Sequence, residues 1–214
     1  MRGRKKTNET RLAIVQCAAA VFSRREFHEV LTDDIARQLG IGKGTIYRYF
    51  RSKDELYLAA IGEGLSGLHV ALTAVLQQDA PLERTIETVV RTMVDYFWQR
   101  RDFFVLMHQL EPKLKAHERA EWQTRRTQVV SMIRRVLERA GACGQIGRLN
   151  ARLAVEALFG MIRGVSVYRT ESDRREELTQ LITSIFLHGV SGEARLEADR
   201  RRALKVVHAG TQPS

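Results

Sequence analysis

Apolar residues recur along nearly the whole chain at the three- and four-residue spacing of an amphipathic helix, and no segment shows the strict alternation of a strand. The first such repeat predicts a helix that begins near Asn8 or Glu9 and ends near Phe22. The last predicts a helix from about Asp173 to Gly189. The pattern therefore predicts an all-α fold of about nine helices.

Two glycine-marked turns follow the first helix. Thr32 is expected to cap a short second helix that ends at Gly40, because threonine and glycine suit those two positions. A third helix is expected from Lys43 to Phe50. The sequence SKDE, which starts at Ser52, predicts a capping box that opens a longer fourth helix. Two short helices joined by a glycine turn have the spacing of a helix-turn-helix.

The outward face of the third helix carries side chains that suit a DNA groove. On a helical wheel Ile46, Tyr49 and Phe50 lie on the inner side, whereas Gly44 and Arg48 lie on the outer side. Thr45 and Tyr47 lie on the flanks. Arginine can bind guanine through two hydrogen bonds, and glycine lets the backbone come close to its target. A small helical core with solvated charges is the alternative, but it does not account for an outward glycine and an aromatic residue at Tyr47.

The charge balance favours a polyanionic partner. The chain of 214 residues has 35 basic and 25 acidic side chains, a formal net charge of +10, which points to nucleic acid first and to an anionic membrane second. Residues 1–8 form a basic arm that either follows the minor groove or serves as a solubility tail. No apolar run approaches the ~20 residues of a membrane span, and no secretory signal precedes the first helix. We therefore expect a cytoplasmic protein with no membrane partner.

The sequence contains no pattern of catalytic or metal-binding residues. Cys17 and Cys143 lie far apart in apolar contexts, which favours buried thiols over a disulfide or a metal pair. His117 begins the sequence HERAE, which lacks the second histidine of a metalloprotease helix. We expect no enzyme activity, no cofactor and no metal site.

The segment LTDDIARQLGIGKGTIYRYFRSKDEL resembles the N-terminal domain of the TetR (tetracycline-repressor-like) family of regulators. The match rests on DIA, LGI, KGTIYRYF and SKDEL at the right separations, over about the first quarter of the chain. The resemblance implies a homodimer in which an N-terminal three-helix domain binds double-stranded DNA and a larger helical domain dimerises and often binds an effector. Gly42 departs from the family, which usually has a serine cap before the recognition helix.

The residues expected at or near DNA come from the third helix, from the helix starts and from the basic arm. Helix starts are included because their amides and dipole favour a phosphate. The expected contacts are Thr32, Lys43, Gly44, Thr45, Tyr47, Arg48, Tyr49 and Lys53, together with Arg4 and Lys5.

Four segments are expected: the basic arm 1–8, a helix-turn-helix domain 9–63, a helical dimerisation and effector-binding domain 64–190, and a charged tail 191–214. Small residues in the eighth helix let another helix approach closely, and the ninth helix has an apolar face. We expect both to form the dimer interface, although both faces can also pack inside one subunit. The expected interface residues are Ala157, Gly160, Gly164, Leu178, Ile182, Ile185 and Phe186.

An effector pocket is expected among aromatic residues with a few polar groups, although ordinary core is the alternative at each position. The candidates are Phe97, Phe104, Met107, His108, Trp122, Phe159, Arg163 and Tyr168. Arg163 is expected to pair with a carboxylate of the effector, or else with Glu111 or Glu156. A mostly apolar small molecule with an acidic group fits this set.

The leading hypothesis is a ligand-responsive transcriptional regulator, a repressor that binds a pseudo-palindromic operator as a dimer and is released by a small apolar effector. The alternative is a sequence-tolerant architectural DNA-binding protein without an effector. Competition with random duplex at fixed salt separates the two, because nonspecific binding rests on phosphates.

Overall fold

The computed structural model describes residues 2–109, 116–147 and 149–189 of the chain. Within these ranges the structure is helical and contains no strand, which confirms the predicted all-α fold. The helices are α1 (Arg2–Phe22), α2 (Thr32–Leu39), α3 (Lys43–Tyr49), α4 (Lys53–Leu76), α5 (Leu82–Gln99), α6 (Arg101–Gln109), α7 (Ala116–Ala142) and α8 (Ala151–Tyr168), followed by α9 over residues 175–189. The predicted tail 191–214 lies outside the described residues.

The first helix starts earlier than the sequence pattern predicted. It begins at Arg2 rather than near Asn8 or Glu9, so the basic segment is the first part of α1 and not an arm ahead of it. Arginine and lysine are good helix formers, and no proline interrupts the segment. Ile14 and Phe22 of this helix are buried, whereas Leu12 is 38% exposed.

Contacts divide the chain into two compact units. The first comprises Met1–Val70 and Tyr96–Gln128, and the second comprises Ala71–Asp95 and Val129–Ser214. In the first unit α1 packs against α2 and α6, and α2 packs against α3. The contacts thus place α6 in the same unit as the short N-terminal helices. The boundary near residue 63 between the DNA-binding domain and the larger helical domain remains a prediction.

Aromatic side chains hold the N-terminal helices of the first unit together. Phe22, Phe27 and Tyr57 form a cluster with ring centroids 4.9 to 5.7 Å apart. Ser23 adds a polar link, because its hydroxyl lies 3.0 Å from a carboxylate oxygen of Asp102 on α6. These contacts fix α1 against the start of α4 and against α6.

The glycines of α4 allow close packing. The helix is continuous from Lys53 to Leu76, and a Cβ at Gly64 would overlap the ring of Phe103. A Cβ at Gly67 would likewise overlap the hydroxyl of Tyr96, which donates a hydrogen bond to the Gly64 carbonyl at 2.7 Å. These glycines therefore serve helix packing, a role that the sequence pattern did not predict.

Helix α4 also corrects the expectation that no segment is long and apolar enough to cross a membrane. Within the described ranges it meets that criterion, by length and composition only. Several of its residues, including Leu56, Ile61 and Leu68, are at most 1% exposed. The core helix of a protein that never enters a membrane passes the same test.

In the second unit, ion pairs connect α5 with α9. Arg91 binds Glu176 at 2.6 Å and Glu87 at 2.8 Å, and Arg175 binds Asp95 at 2.9 Å. The hydrogen bonds that the Arg91 guanidinium donates to the carboxylates of Glu176 and Glu87 raise the pKa of Arg91. All of these groups are 39% to 55% exposed, so each pair contributes little stability by itself. Together they fix the position of α9 along α5.

Candidate DNA-binding interface

The turn between α2 and α3 depends on one glycine in a left-handed conformation. Gly40 has φ 64° and ψ 29°, a region that glycine enters without steric penalty. The amide of Ile41 donates to the Ala36 carbonyl at 3.0 Å, which closes the end of α2. Ile35 and Ile46 are at most 1% exposed, so the turn holds the two helices on a common core, as a helix-turn-helix requires.

The exposed side of α3 carries most of the predicted DNA contacts. Gly44, Arg48 and Tyr47 are exposed, and Tyr47 keeps 43% of its surface. A Cβ at Gly44 would meet no described atom within 4 Å, so the backbone there is open to close approach. Thr45 and Tyr49 are half-buried.

Thr32 does not cap α2 as predicted. It is the first residue of the helix and only 6% exposed, while the cap position belongs to Leu31, which makes no side-chain hydrogen bond to the helix. The Thr32 hydroxyl instead lies 3.1 Å from the phenol oxygen of Tyr47. Thr32 therefore orients the Tyr47 side chain, and any contact of its own with DNA remains a prediction.

The helix-capping interaction at Ser52 is close to the predicted one. The Glu55 amide donates to the Ser52 hydroxyl at 3.1 Å. The Glu55 carboxylate accepts from the amide of Arg51 at 2.6 Å, one residue before the amide that a standard capping box uses. The start of α4 is thus held by side chains on both sides.

Lys53 has a structural role that the sequence pattern did not indicate. Its ammonium donates to the carbonyls of Phe27 at 2.8 Å, Val30 at 3.0 Å and His28 at 3.4 Å. It also lies 4.5 Å from the centre of the Phe27 ring. Three donors meet three carbonyls, so Lys53 ties the start of α4 to the loop before α2. The phosphate contact of Lys53 remains a prediction.

Two cationic side chains of α3 also contact neighbouring side chains. The Lys43 ammonium lies 2.8 Å from the carboxylate of Asp33 on α2. That hydrogen bond and the Asp33 charge raise the pKa of Lys43. The Arg48 guanidinium lies 5.5 Å from the centre of the Tyr49 ring. Asp33 was absent from the predicted site because a carboxylate does not itself suit DNA.

Some predicted site residues lie outside the part of the structure that is described. The side chains of Arg4 and Lys5 lie outside the described part of α1, and the side chain of His108 lies outside the described part of α6. Glu111, one predicted partner of Arg163, is also outside the described residues.

The predicted effector residues fall in both units. Phe97 and Phe104 are 4% and 6% exposed in the first unit. The first unit also contains Met107 and Trp122, and a buried Trp122 Nε1 has no hydrogen-bond partner among the described residues.

Phe159, Arg163 and Tyr168 belong to the second unit. Phe159 is half-buried, whereas Arg163 is exposed and Tyr168 keeps 84% of its surface. Arg163 and Tyr168 therefore lie on the surface of α8, which does not fit the pocket-lining role predicted for them.

The predicted dimer residues divide into an outward and an inward group. Ala157, Gly160 and Ile185 are exposed, and Gly164 and Leu178 are half-buried. Ile182 and Phe186 are 1% and 4% exposed. For these last two residues the predicted interface is corrected, because the inner face of α9 packs within the subunit.

Outward apolar side chains remain on α8 and on α9. The large ones are Leu153 and Val167 on α8 and Leu181 and Ile185 on α9, each 47% to 54% exposed. The small residues Ala157 and Gly160 lie between the two large ones on α8. We call these six residues the α8/α9 surface.

Comparison with known families matches this arrangement. The family model of bacterial regulatory proteins of the tetR family matches residues 14–60, and that of the tetracyclin repressor-like C-terminal domain matches residues 78–190. The chain belongs to the TetR family. It is thus a transcriptional regulator with a helix-turn-helix DNA-binding domain, as its sequence predicted.

Relatives within the TetR family include regulators of fatty acid metabolism. The fatty acid metabolism regulator protein of Bacillus subtilis is 22% identical, over 85% of this chain and 94% of that protein. A putative fatty acid metabolism regulator from Clostridium perfringens superposes with a TM-score of 0.74 at 26% identity, over 83% of this chain and 98% of that one.

A third similar structure is FadR of Bacillus subtilis in complex with stearoyl-CoA, with a TM-score of 0.72 at 21% identity, over 85% of this chain and 98% of that one. Several other curated relatives match over only 35% to 65% of their own length.

Among the described residues, no group of three or more histidine, cysteine, aspartate or glutamate side chains is placed to hold a metal ion. Cys17 is half-buried and its thiol lies 3.9 Å from the Ile35 carbonyl, whereas Cys143 is exposed, contrary to the predicted burial of both thiols.

Proposed function

We propose that this TetR-family chain is a ligand-responsive repressor that binds a pseudo-palindromic operator as a homodimer in the cytoplasm and is released by a small, mostly apolar effector. The observation that carries the proposal is the difference between the buried side and the exposed side of α3. Ile46 is buried in the helix-turn-helix core, while Gly44, Tyr47 and Arg48 face solvent. A helix that packs in a core on one side and carries groove-binding groups on the other can bind in the major groove of DNA.

Dimerisation is supported by the α8/α9 surface. A single short recognition helix contacts too few bases for tight binding, and two copies are needed to reach successive major grooves. The α8/α9 surface offers large apolar side chains around small residues, which lets helices of two subunits approach closely. A symmetric contact through this surface pairs the same residues from both subunits.

The effector class is supported by the relatives. One similar structure contains stearoyl-CoA, and two relatives are described as fatty acid metabolism regulators. A long acyl chain with an anionic head group agrees with the mostly apolar, acidic effector expected from the sequence. Phe97, Phe104, Met107 and Trp122, whose Nε1 has no hydrogen-bond partner among the described residues, are the candidate contacts in the first unit.

The test begins with selection of genomic DNA fragments by the purified chain, followed by footprinting of the enriched site. We expect an inverted repeat. Arg48→Ala should weaken binding to this site by ~1–3 kcal/mol and should affect a scrambled duplex less. Arg51→Ala is the control, because Arg51 is equally charged and exposed but lies beyond the end of α3. Equal losses on both duplexes for Arg48→Ala would contradict base recognition and favour an architectural DNA-binding protein.

Release is tested by adding stearoyl-CoA to the complex with the enriched site. We expect the acyl-CoA to dissociate the complex, and coenzyme A alone to leave it intact, because the acyl chain supplies the apolar contact. If the acyl-CoA leaves the complex intact, the proposed effector class is wrong. DNA recognition is unaffected by that outcome.

A further inference from the structure

The ion pair between α2 and α3 places an acidic side chain against a predicted DNA contact. Asp33 in the first turn of α2 holds the Lys43 ammonium at 2.8 Å. The two side chains keep 45% and 50% of their surface, respectively. Both charges are thus on the surface, on adjacent elements of the helix-turn-helix.

Asp33 does not hold the fold together in the way that its neighbours do. Thr32 is buried and hydrogen-bonds Tyr47, and Ile35 is in the core. An ion pair as exposed as that of Asp33 contributes little to stability. The helix dipole favours a carboxylate in the first turn of α2, but on a surface that approaches DNA the same carboxylate repels phosphate.

We infer that Asp33 is an internal competitor for the DNA phosphate expected at Lys43, and that it weakens the sequence-independent part of DNA binding. This inference rests on the proposed DNA contact of Lys43. When a phosphate reaches the ammonium, the lysine either leaves Asp33 or is shared between two anions. In both cases the carboxylate stays close to the phosphate and repels it.

The consequence is a limit on binding to unrelated DNA. Nonspecific affinity comes almost wholly from cations that neutralise phosphates and release counterions. A lysine already neutralised within the protein releases fewer counterions on binding. A chain with a net charge of +10 gains from such a limit, because genomic DNA offers a large excess of competing sites.

The test compares neutral replacements at two adjacent acidic residues of α2. Asp33→Asn and Asp33→Ser remove the competitor, and Asp34→Asn is the matched control. Asp34 carries the same charge in the same helical turn, but it binds Arg25 at 3.1 Å and Arg37 at 3.5 Å rather than a residue of α3. Full-length proteins are titrated with a fluorescent duplex of random sequence, and circular dichroism checks that each variant is folded.

We expect both Asp33 variants to bind the random duplex more tightly than wild type and more tightly than Asp34→Asn. Their gain in affinity between about 200 and about 50 mM salt should exceed that of wild type by about threefold per subunit, as one more neutralised phosphate requires. In a Lys43→Gln background, Asp33→Asn should increase the affinity for the random duplex no more than Asp34→Asn does.

Two results would overturn the inference. Equal gains for the Asp33 and Asp34 variants indicate a simple effect of net charge. An excess gain for Asp33→Asn that persists without Lys43 indicates that the ion pair is not involved. If wild type and every variant fail to bind any duplex at about 50 mM salt, the DNA-binding role itself fails, which is a separate outcome.

Discussion

At the residue scale, helix α2 begins at an unfavourable cap. Leu31 occupies the cap position in an extended conformation, with φ −96° and ψ 137°, and keeps 59% of its surface. Leucine is among the poorest residues there, because its side chain cannot accept a hydrogen bond from the first amides of the helix. Because Leu31 is exposed, it also buries little apolar surface that could offset the missing hydrogen bond.

Replacing Leu31 by serine should therefore stabilise the protein without DNA by ~1 kcal/mol. Urea unfolding of the two proteins measures the difference. Leu12→Ser on α1 is the control, since Leu12 is also exposed, at 38%, but lies inside a helix and offers no cap. Equal unfolding midpoints for wild type and Leu31→Ser would show that the start of α2 needs no cap.

The buried phenol of Tyr57 makes stability depend on alkaline pH. Burial, with a contribution from the Glu26 charge, raises the pKa of Tyr57 to about 12. In the unfolded chain the phenol titrates near pH 10, so between about pH 10 and about pH 12 the unfolded state binds fewer protons than the folded state. Linkage then requires the free energy of unfolding to fall as pH rises through this interval.

Tyr57→Phe should remove this part of the pH dependence and keep the ring contacts with Phe22 and Phe27. We expect the wild-type protein to lose up to about 2 kcal/mol more than the variant between about pH 9 and about pH 12. Denaturant unfolding at each pH, referred to the value at neutral pH, measures the difference. Parallel curves for the two proteins would show that the Tyr57 phenol titrates alike in both states.

At the element scale, the packing of α4 is set by glycine. Gly64 leaves room for the Phe103 ring, and its carbonyl accepts from the Tyr96 hydroxyl. Gly64→Ala should destabilise the protein by ~1–3 kcal/mol, because α6 must shift to accommodate a methyl group in a packed core. The measurement is again urea unfolding.

Gly44→Ala on α3 is the matched control for Gly64→Ala. A Cβ at Gly44 has open space, so this change should stabilise the protein by up to ~1 kcal/mol through helix propensity alone. If both substitutions stabilise the protein to the same extent, the close packing of Phe103 on α4 does not limit stability.

The sequence predicts the helices better than it predicts what their side chains do. Helical spacing, the glycine at 40 and the SKDE cap located α2, α3 and α4, because these signals are local. The partners of Lys53 were not predictable, because the residue types in an irregular loop do not show where its backbone carbonyls point. The pairing of Asp33 with Lys43 and the packing of Phe103 on Gly64 join residues from different elements, and periodicity within one element carries no information about such contacts.

The inward and outward sides of α9 show the same limit. An apolar face was predicted, but Ile182 and Ile185 are chemically alike and are neighbours at the i, i+3 spacing of a helix, and yet they are 1% and 54% exposed. Only the packing of the second unit separates them. A sequence pattern thus identifies a helix with apolar residues, and the structure decides which of them remain free for a partner subunit.

At the scale of the whole molecule, the α8/α9 surface is the region expected to join two subunits. Ile185→Glu places a charge in it while leaving the core of one subunit intact, because the side chain is already 54% exposed. Burying an unpaired carboxylate in an interface is strongly unfavourable. We therefore expect the variant to be a folded monomer and wild type to be a dimer, with both molar masses measured by light scattering after size exclusion.

Loss of the dimer should also reduce DNA binding, because one recognition domain no longer holds the other near its half-site. The expected loss is about 100-fold or more on an inverted repeat, and much smaller on a duplex that carries a single half-site. Val70→Glu is the control, since Val70 is 67% exposed on α4 and lies away from the α8/α9 surface in sequence. A dimeric Ile185→Glu variant, or a monomer that binds the inverted repeat as tightly as wild type, would contradict the proposed assembly, because affinity for two half-sites depends on both recognition helices being carried by one particle.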